Sequence, residues 1–322
     1  MLNRRMILAA TLALAAAGLT TGAEAAYPDR PITMIVPFAP GGGSDLCGRI
    51  VANYLPEVIG QSVVVENRPG AGANIGIAAV ARADPDGYTL LFTSSAIIVN
   101  PSMPRGAPFD PYKDFVPLVD VGAAPNVFVV RPDSEYKSIQ DIIDIAKSKP
   151  DGINYATPGI GGVSHLATEL FMSKTGVKMT HVPFDGAGAG VQGLLNGSID
   201  VLIANMASVL GPVKAGQLRA LGQTGAERFP DLPDVPTLRD LGIDVVAETS
   251  NLIFAPAGTP EDVQKTLVES IQKVLAMPNV KAEILKLGFP LTNGGPDVLK
   301  ARLDREIPIW RDVIKSINLQ AQ

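Results

Sequence analysis

The chain of 322 residues carries a single cysteine and only two histidines. One thiol, Cys47, excludes an internal disulfide. A lipid-anchored exported protein would carry its cysteine at the cleavage point, whereas Cys47 lies inside a helical pattern, so no lipid anchor is expected. His165 and His181 with that one thiol do not make a zinc cluster or a persuasive Cys/His catalytic pair. Charge is also sparse and tilted acidic, with 27 Lys and Arg against 32 Asp and Glu. That balance lacks the basic excess on which nucleic-acid binding draws, so no nucleic acid partner is expected. There is no G-x-S-x-G nucleophile elbow and no G-x-x-x-x-G-K phosphate loop. No catalytic residue, metal or cofactor is nominated.

The N-terminus reads as an export signal. Asn3-Arg4-Arg5 precedes an apolar run from Met6 to about Leu19, too short to span a bilayer, and Ala23-Glu24-Ala25 has the small residues of a cleavage site. Cleavage is expected after Ala25, by the general or the twin-arginine route. The destination that fits is the periplasm.

Beyond the signal, short β-rich runs alternate with helical patterns. Ile32 to Val36, Val63 to Val65 and Tyr88 to Phe92 are apolar strands, separated by helical repeats over Leu46 to Val58 and Ile75 to Ala83. The same grammar continues from Asn126 to Leu221, with strands near 126–130, 154–156, 179–182, 201–203 and 219–222. This pattern predicts mostly parallel sheets covered on both faces. The length exceeds what one core usually serves, so two α/β lobes are expected, joined by extended segments at Ala123 to Val130 and Val246 to Ala255. The expected division is 1–25 signal, 26–126 with 250–322 as the first lobe, and 127–249 as the second.

Two loops share a chemistry. "VPFAPGGGSD" ends a strand and opens a helix at Ser44, whose hydroxyl is placed to cap the first turn; "NYATPGIGGVSHL" does the same at Ser164 and His165. Glycines admit close approach, and free N–H groups at a helix start favour an anion. One such loop in each lobe points to a carboxylate held between them. A third glycine run, Gly70 to Gly76, has the spacing G-x-G-x-x-x-G and no acidic residue about twenty positions on, which favours a plain turn over a dinucleotide fingerprint.

The whole chain after the signal resembles the extracytoplasmic solute receptors of tripartite tricarboxylate transporters, the Bug or TctC family. The resemblance is carried by "YPDRPITMIVPFAPGGGSD", "VVVENRPGAGANIGIAAVARADPDGYTLL", "NYATPGIGGVSHLATELF", "HVPFDGAGAGVQGLLNGSIDVL", "AERFPDLPDVPTLRDLG" and "FAPAGTP". It implies a two-lobed type II periplasmic binding fold of the flytrap kind, with two mixed, mostly parallel sheets flanked by helices and two strands crossing between lobes. It implies a monomer that captures a small carboxylate or dicarboxylate for a permease of one large and one small membrane subunit, without chemistry. Carried residue by residue, the first-lobe contacts are Phe38, Gly42, Gly43, Ser44 and Asp45, with Ser94, Ser95 and Asn100. The second-lobe contacts are Thr157, Gly161, Gly162, Ser164 and His165, then Phe184, Asp185 and Gly186, and Asn205. Asp45 reads as a loop organiser or a partner for a ligand N–H. The sequence departs from the family at Ala204, where an aspartate is common, and at Thr249 to Asn251, near a frequent tryptophan. A cleft hydrolase and a sensory receptor are the rival functions.

Overall fold

The computed structural model describes residues 27–184 and 186–317; the expected export signal, its expected cleavage point and Asp185 lie outside them. The first third alternates β1 (Ile32–Val36), α1 (Gly43–Tyr54), a one-turn α2 (Pro56–Ile59), β2 (Val63–Asn67), α3 (Asn74–Ala81), β3 (Thr89–Ser94) and α4 (Ala96–Val99). β1 pairs in parallel with β2 and β3. Its apolar run is buried from both sides. Ile32, Met34 and Val36 share a core with Cys47 and Val51 of α1, while Ile35 packs with Ile77 and Val80 of α3.

The middle holds β4 (Phe115–Val130), α5 (Ile139–Ser148), β5 (Asn154–Thr157), α6 (Val163–Thr175), β6 (Thr180–Pro183), α7 (Ala187–Leu195), β7 (Val201–Asn205), α8 (Met206–Lys214) and β8 (Arg219–Gln223). The chain then returns through β9 (Glu248–Pro256), α9 (Glu261–Ala276), α10 (Pro278–Lys286), β10 (Leu291–Gly294) and α11 (Pro296–Ser316). The strand order is β2-β1-β3-β9-β4-β7-β5-β6, with β10 and β8 also on β4.

β4 is the hinge of this topology. Up to Pro125 it pairs antiparallel with β9, and from Asn126 onward with β7 and β8. One strand therefore serves two sheets, and β9 runs beside it where they meet. The parallel pairing expected from the apolar strands holds within each half, in β1–β3 and in β5–β7. At the centre, β4 and β9 make the sheets mixed.

α11 packs across the divide. Its Trp310, Val313 and Ile314 share a core with Leu166 and Ala167 of α6 as well as with Leu252 and Phe254 of β9. Three elements have no counterpart in the sequence pattern: α4, α8 and β10.

Candidate functional site: two matched helix starts

The loops singled out in the sequence are built alike. Gly42 is the N-cap of α1 with φ −74 and ψ 161, and Gly162 is the N-cap of α6 with φ −70 and ψ 163. The glycine before each is left-handed, Gly41 at φ +87 and Gly161 at φ +75, a conformation a side chain would strain. Neither cap has a side-chain hydrogen bond. The expectation that Ser44 caps α1 is thus corrected: the helix begins at Gly43, and Ser44 sits inside its first turn. Glycine caps matter chemically. The first-turn N–H groups have no intrahelical acceptor, and a cap without an oxygen leaves them to an anion, which the positive end of the helix dipole also favours.

Each loop is held by the third helical residue reaching back to the left-handed glycine. In the first, Asp45 is 1% exposed, and its carboxylate accepts from Gly41 N–H at 2.8 Å, Arg49 Nε at 3.0 Å and Asn67 Nδ2 at 2.7 Å. Burial pushes this carboxyl up, but the bonds from Arg49, Asn67 and Gly41 outweigh it and hold it below its ordinary value. In the second, His165 Nδ1 accepts from Gly161 N–H at 3.1 Å. Nδ1 is therefore unprotonated, and Nε2 carries the hydrogen, facing Glu169 Oε1 at 3.5 Å.

Behind His165 the aromatic rings stack. His181 lies 4.2 Å from the His165 centroid and 4.8 Å from that of Tyr155. Thr157 Oγ1 stands 2.7 Å from His181 Nε2, and Tyr155 donates its hydroxyl to Glu169 at 2.8 Å. Burial and the neighbouring His165 push the His181 imidazole down to about 4, against the opposing pull of Glu169. Burial raises the Glu169 carboxyl, but hydrogen bonds from His165 and Tyr155 bring it below its usual range.

The remaining candidates divide by what holds them. Ser164 donates to Asn126 Oδ1 at 2.6 Å, and Asn126 in turn donates to Ala247 O, which ties the start of α6 to β4 and to the residue just before β9. Ser95 donates to Glu248 O and accepts from Ser250 N–H, tying the end of β3 to β9. Ser94 accepts from Ala96 N–H, and Phe38 packs between the two cores of the first sheet. Asn205 caps α8 through Ala207 N–H and donates to Ala124 O. Asn100 donates to Gly72 O and Asn74 Oδ1, so its amide N–H group braces the glycine turn at 70–74. Thr157 also donates to Gly159 O. Phe184 packs in the core under α7, and Gly186 caps that helix with φ +98.

Sequence reasoning missed Arg49, Asn67, Asn126 and Glu169. Arg49 and Glu169 stand four residues beyond Asp45 and His165, a spacing that signals same-face helical pairs. Asn67 and Asn126 arrive from other strands, and no local signal marks them. Among the described residues there is no cluster of three or more His, Cys, Asp or Glu able to hold a metal, and no helix long and apolar enough to cross a membrane.

Two α/β halves joined by crossover strands, each offering a bare helix N-terminus, define a solute-binding protein of the two-lobed periplasmic type. The chain belongs to the tripartite tricarboxylate transporter receptors: the model described as "Tripartite tricarboxylate transporter family receptor" matches residues 47–319. This is a family of substrate-binding receptors of the periplasm, not of enzymes. Protein BugT of Bordetella pertussis is 35% identical over 97% of this chain and 97% of its own length. Among solved structures, Rpa4515 of R. palustris with adipate is 30% identical with a TM-score of 0.78, over 91% of this chain and 98% of that one. MatC (Rpa3494) from Rhodopseudomonas palustris with bound malate is 29% identical with a TM-score of 0.75, over 89% and 100% of the two chains.

Proposed function

We propose that this receptor, exported and cleaved after Ala25, binds a small mono- or dicarboxylate between a lobe of residues 26–126 with 250–322 and a lobe of residues 127–249. As a monomer it hands the acid unchanged to the large and small membrane subunits of a tripartite transporter. The observation that carries this reading is the matched pair of uncapped helix starts, one from each half, with backbone angles within a few degrees of each other. The adipate and malate held by similar proteins support the ligand class. Asp45 fits as an organiser of the first cup, since its oxygens are engaged by Gly41, Arg49 and Asn67. Ser44, Ser94, Thr157 and Ser164 lie at the same ends of the strands and are proposed to line the cleft.

Thermal shift against mono-, di- and tricarboxylates, amino acids and aromatic acids tests this. An acid at a hundred times its dissociation constant adds about 2.7 kcal/mol to stability. Calorimetry with that acid is expected to give saturable heat, and chromatography of the mixture to recover it unaltered. A protein stabilised only by neutral solutes, or one that converts the acid, sinks the proposal.

A further inference from the structure

Gly288, Phe289 and Pro290 link α10 to β10, and each touches a different part of the molecule. Gly288 lies on the first turn of α8, in the second half: a Cβ placed on it would stand 2.6 Å from Ala207 Cα and 2.9 Å from Ala207 N. Phe289 is 3% exposed, and its ring edge stands 3.1 Å from where a Cβ on Gly43 would be, at the opening residue of α1 in the first cup. Pro290 O accepts from Ala123 N–H at 3.2 Å and leaves no room for a side chain on Gly122, which puts it on β4 just before that strand changes sheets.

The link is stiff and belongs to the first half. Gly288 is left-handed at φ +84; its N–H donates to Leu285 O at 2.8 Å and that of Phe289 to Ile284 O at 3.3 Å, the bond pair that closes a helix behind a left-handed glycine. Tyr54 of α1 donates to Glu283 of α10 at 2.9 Å, and Phe289 shares a core with Cys47 and Val51 of α1. α8 belongs to the other half. Its Met206 and Val209 share a core with Leu202 of β7 and Leu194 of α7, and Asn205 caps it through Ala207 N–H.

Gly43 and Ala207 each stand in the first turn of a helix, beyond the cup-side end of a strand: β1 in one half and β7, parallel to β5, in the other. The link therefore fills the floor of the space between the halves. A swing about β4 and β9 must alter the gap between α8 and Gly288. That contact is backbone against backbone with no flexible side chain between, and a close-packed interior passes such a displacement on instead of absorbing it. The ring of Phe289, set against Gly43, is where the displacement arrives.

Taking the cleft between the halves as the binding site, we propose that Phe289 is a positioning residue for the first cup. It carries the movement of the second half, received at Gly288, to the first turn of α1, so the N–H groups offered there depend on how far apart the halves stand. The second cup opens α6, whose Leu166 and Ala167 lie in another core, and is not tuned in this way.

Gly288→Ala pushes α8 off the link. In the ligand-free protein it should raise the radius of gyration in small-angle X-ray scattering and speed amide exchange over residues 43–49 at least threefold, leaving residues 163–169 of the second cup within a factor of two. The same two changes are expected of Ala207→Val, which fills the contact from the α8 side. Gly60→Ala puts the same side chain on another left-handed helix-end glycine, at φ +81 with nothing within 4 Å, and should produce neither change. In a Phe289→Leu background, which keeps the packing apolar but shortens its reach, Gly288→Ala should still raise the radius of gyration, while its effect on 43–49 falls by at least half. A side chain that only filled the core would give additive effects instead. An unchanged radius of gyration in both contact variants, equal acceleration of the two cups, or an undiminished effect in the Phe289→Leu background would each overturn the proposal. Every readout is taken without ligand, so such a failure is distinct from failure of the carboxylate reading, which thermal shift decides.

Discussion

The β1-to-α1 and β5-to-α6 turns have nearly superimposable cap angles and quite different means of support. The first is fixed by an ionised group: Asp45 holds Gly41, and Arg49 and Asn67 hold Asp45. The second is fixed by a neutral ring: His165 holds Gly161 with a lone pair, and stacked His181 and Tyr155 hold His165. A carboxylate two residues inside a turn proposed to accept an anion is tolerable because Arg49 offsets its charge and its oxygens face the loop backbone. The two cups thus present similar N–H groups while depending on opposite protonation chemistry, charge in one and neutrality in the other.

Blocking either cup from within is the most severe way to break this equivalence. Gly42→Asp and Gly162→Asp put a self-capping carboxylate onto the first-turn N–H groups. Both positions have extended backbone, and an added Cβ meets nothing closer than 3.7 Å, so folding should survive. Each is expected to weaken acid binding by at least about a hundredfold, or about 2.7 kcal/mol, by calorimetry. A variant that still binds fully would show that the ligand uses only the other cup.

Removing the organisers separates the two supports. Asp45→Ala strips a buried acceptor from three donors and should cost about 2–4 kcal/mol in urea unfolding. His165→Phe keeps the stacking and orphans one N–H, for about 1–2 kcal/mol. The reverse ranking would mean that the histidine stack, not the ion pair, is the stiffer frame.

Acid should then discriminate between them. His181 has its pKa depressed to about 4, so the folded protein resists a proton that the unfolded chain accepts near 6.5. Its contribution is complete above pH 6.5 and is lost as pH falls toward 4, by no more than about 3 kcal/mol. Asp45, held below its ordinary value, keeps its contribution through that window and loses it only at lower pH. Urea titrations between pH 7 and 4 should slope for the wild type and flatten for His181→Phe; an unchanged slope in that variant would assign the acid lability elsewhere.

The smallest contrast is between the serines. Ser164→Ala breaks a buried bond to Asn126 and should cost about 1–2 kcal/mol, while Ser44→Ala should stay within about 0.5 kcal/mol, both read as melting temperatures.

Legibility in the sequence follows the range of the interactions. Alternating strands and helices, and both glycine turns, are local signals and were readable to within a few residues. α8 was hidden because Gly211 and Pro212 interrupt its pattern. The full length of β4 was hidden because Pro117, Gly122 and Pro125 break an otherwise apolar strand; register shifts absorb the irregularity near Pro117 and Gly122. In the cups, the reach of Asp45 to Arg49 lies within one helical turn, whereas Asn67 and Asn126 take their roles only through sheet pairing. The stacking of His181 on Tyr155 depends on β5 and β6 lying side by side, which no spacing encodes.

The path of β9 also bears on how the protein is made. β3 waits beside a strand supplied from near the other end of the chain, and α11, the last helix described, seals the core beneath it. The N-terminal sheet therefore stays incomplete until nearly all of the polypeptide has been synthesised, and closing it requires contacts of long sequence separation, which form slowly. A chain that cannot lock its first half early stays open and threadable through most of its synthesis.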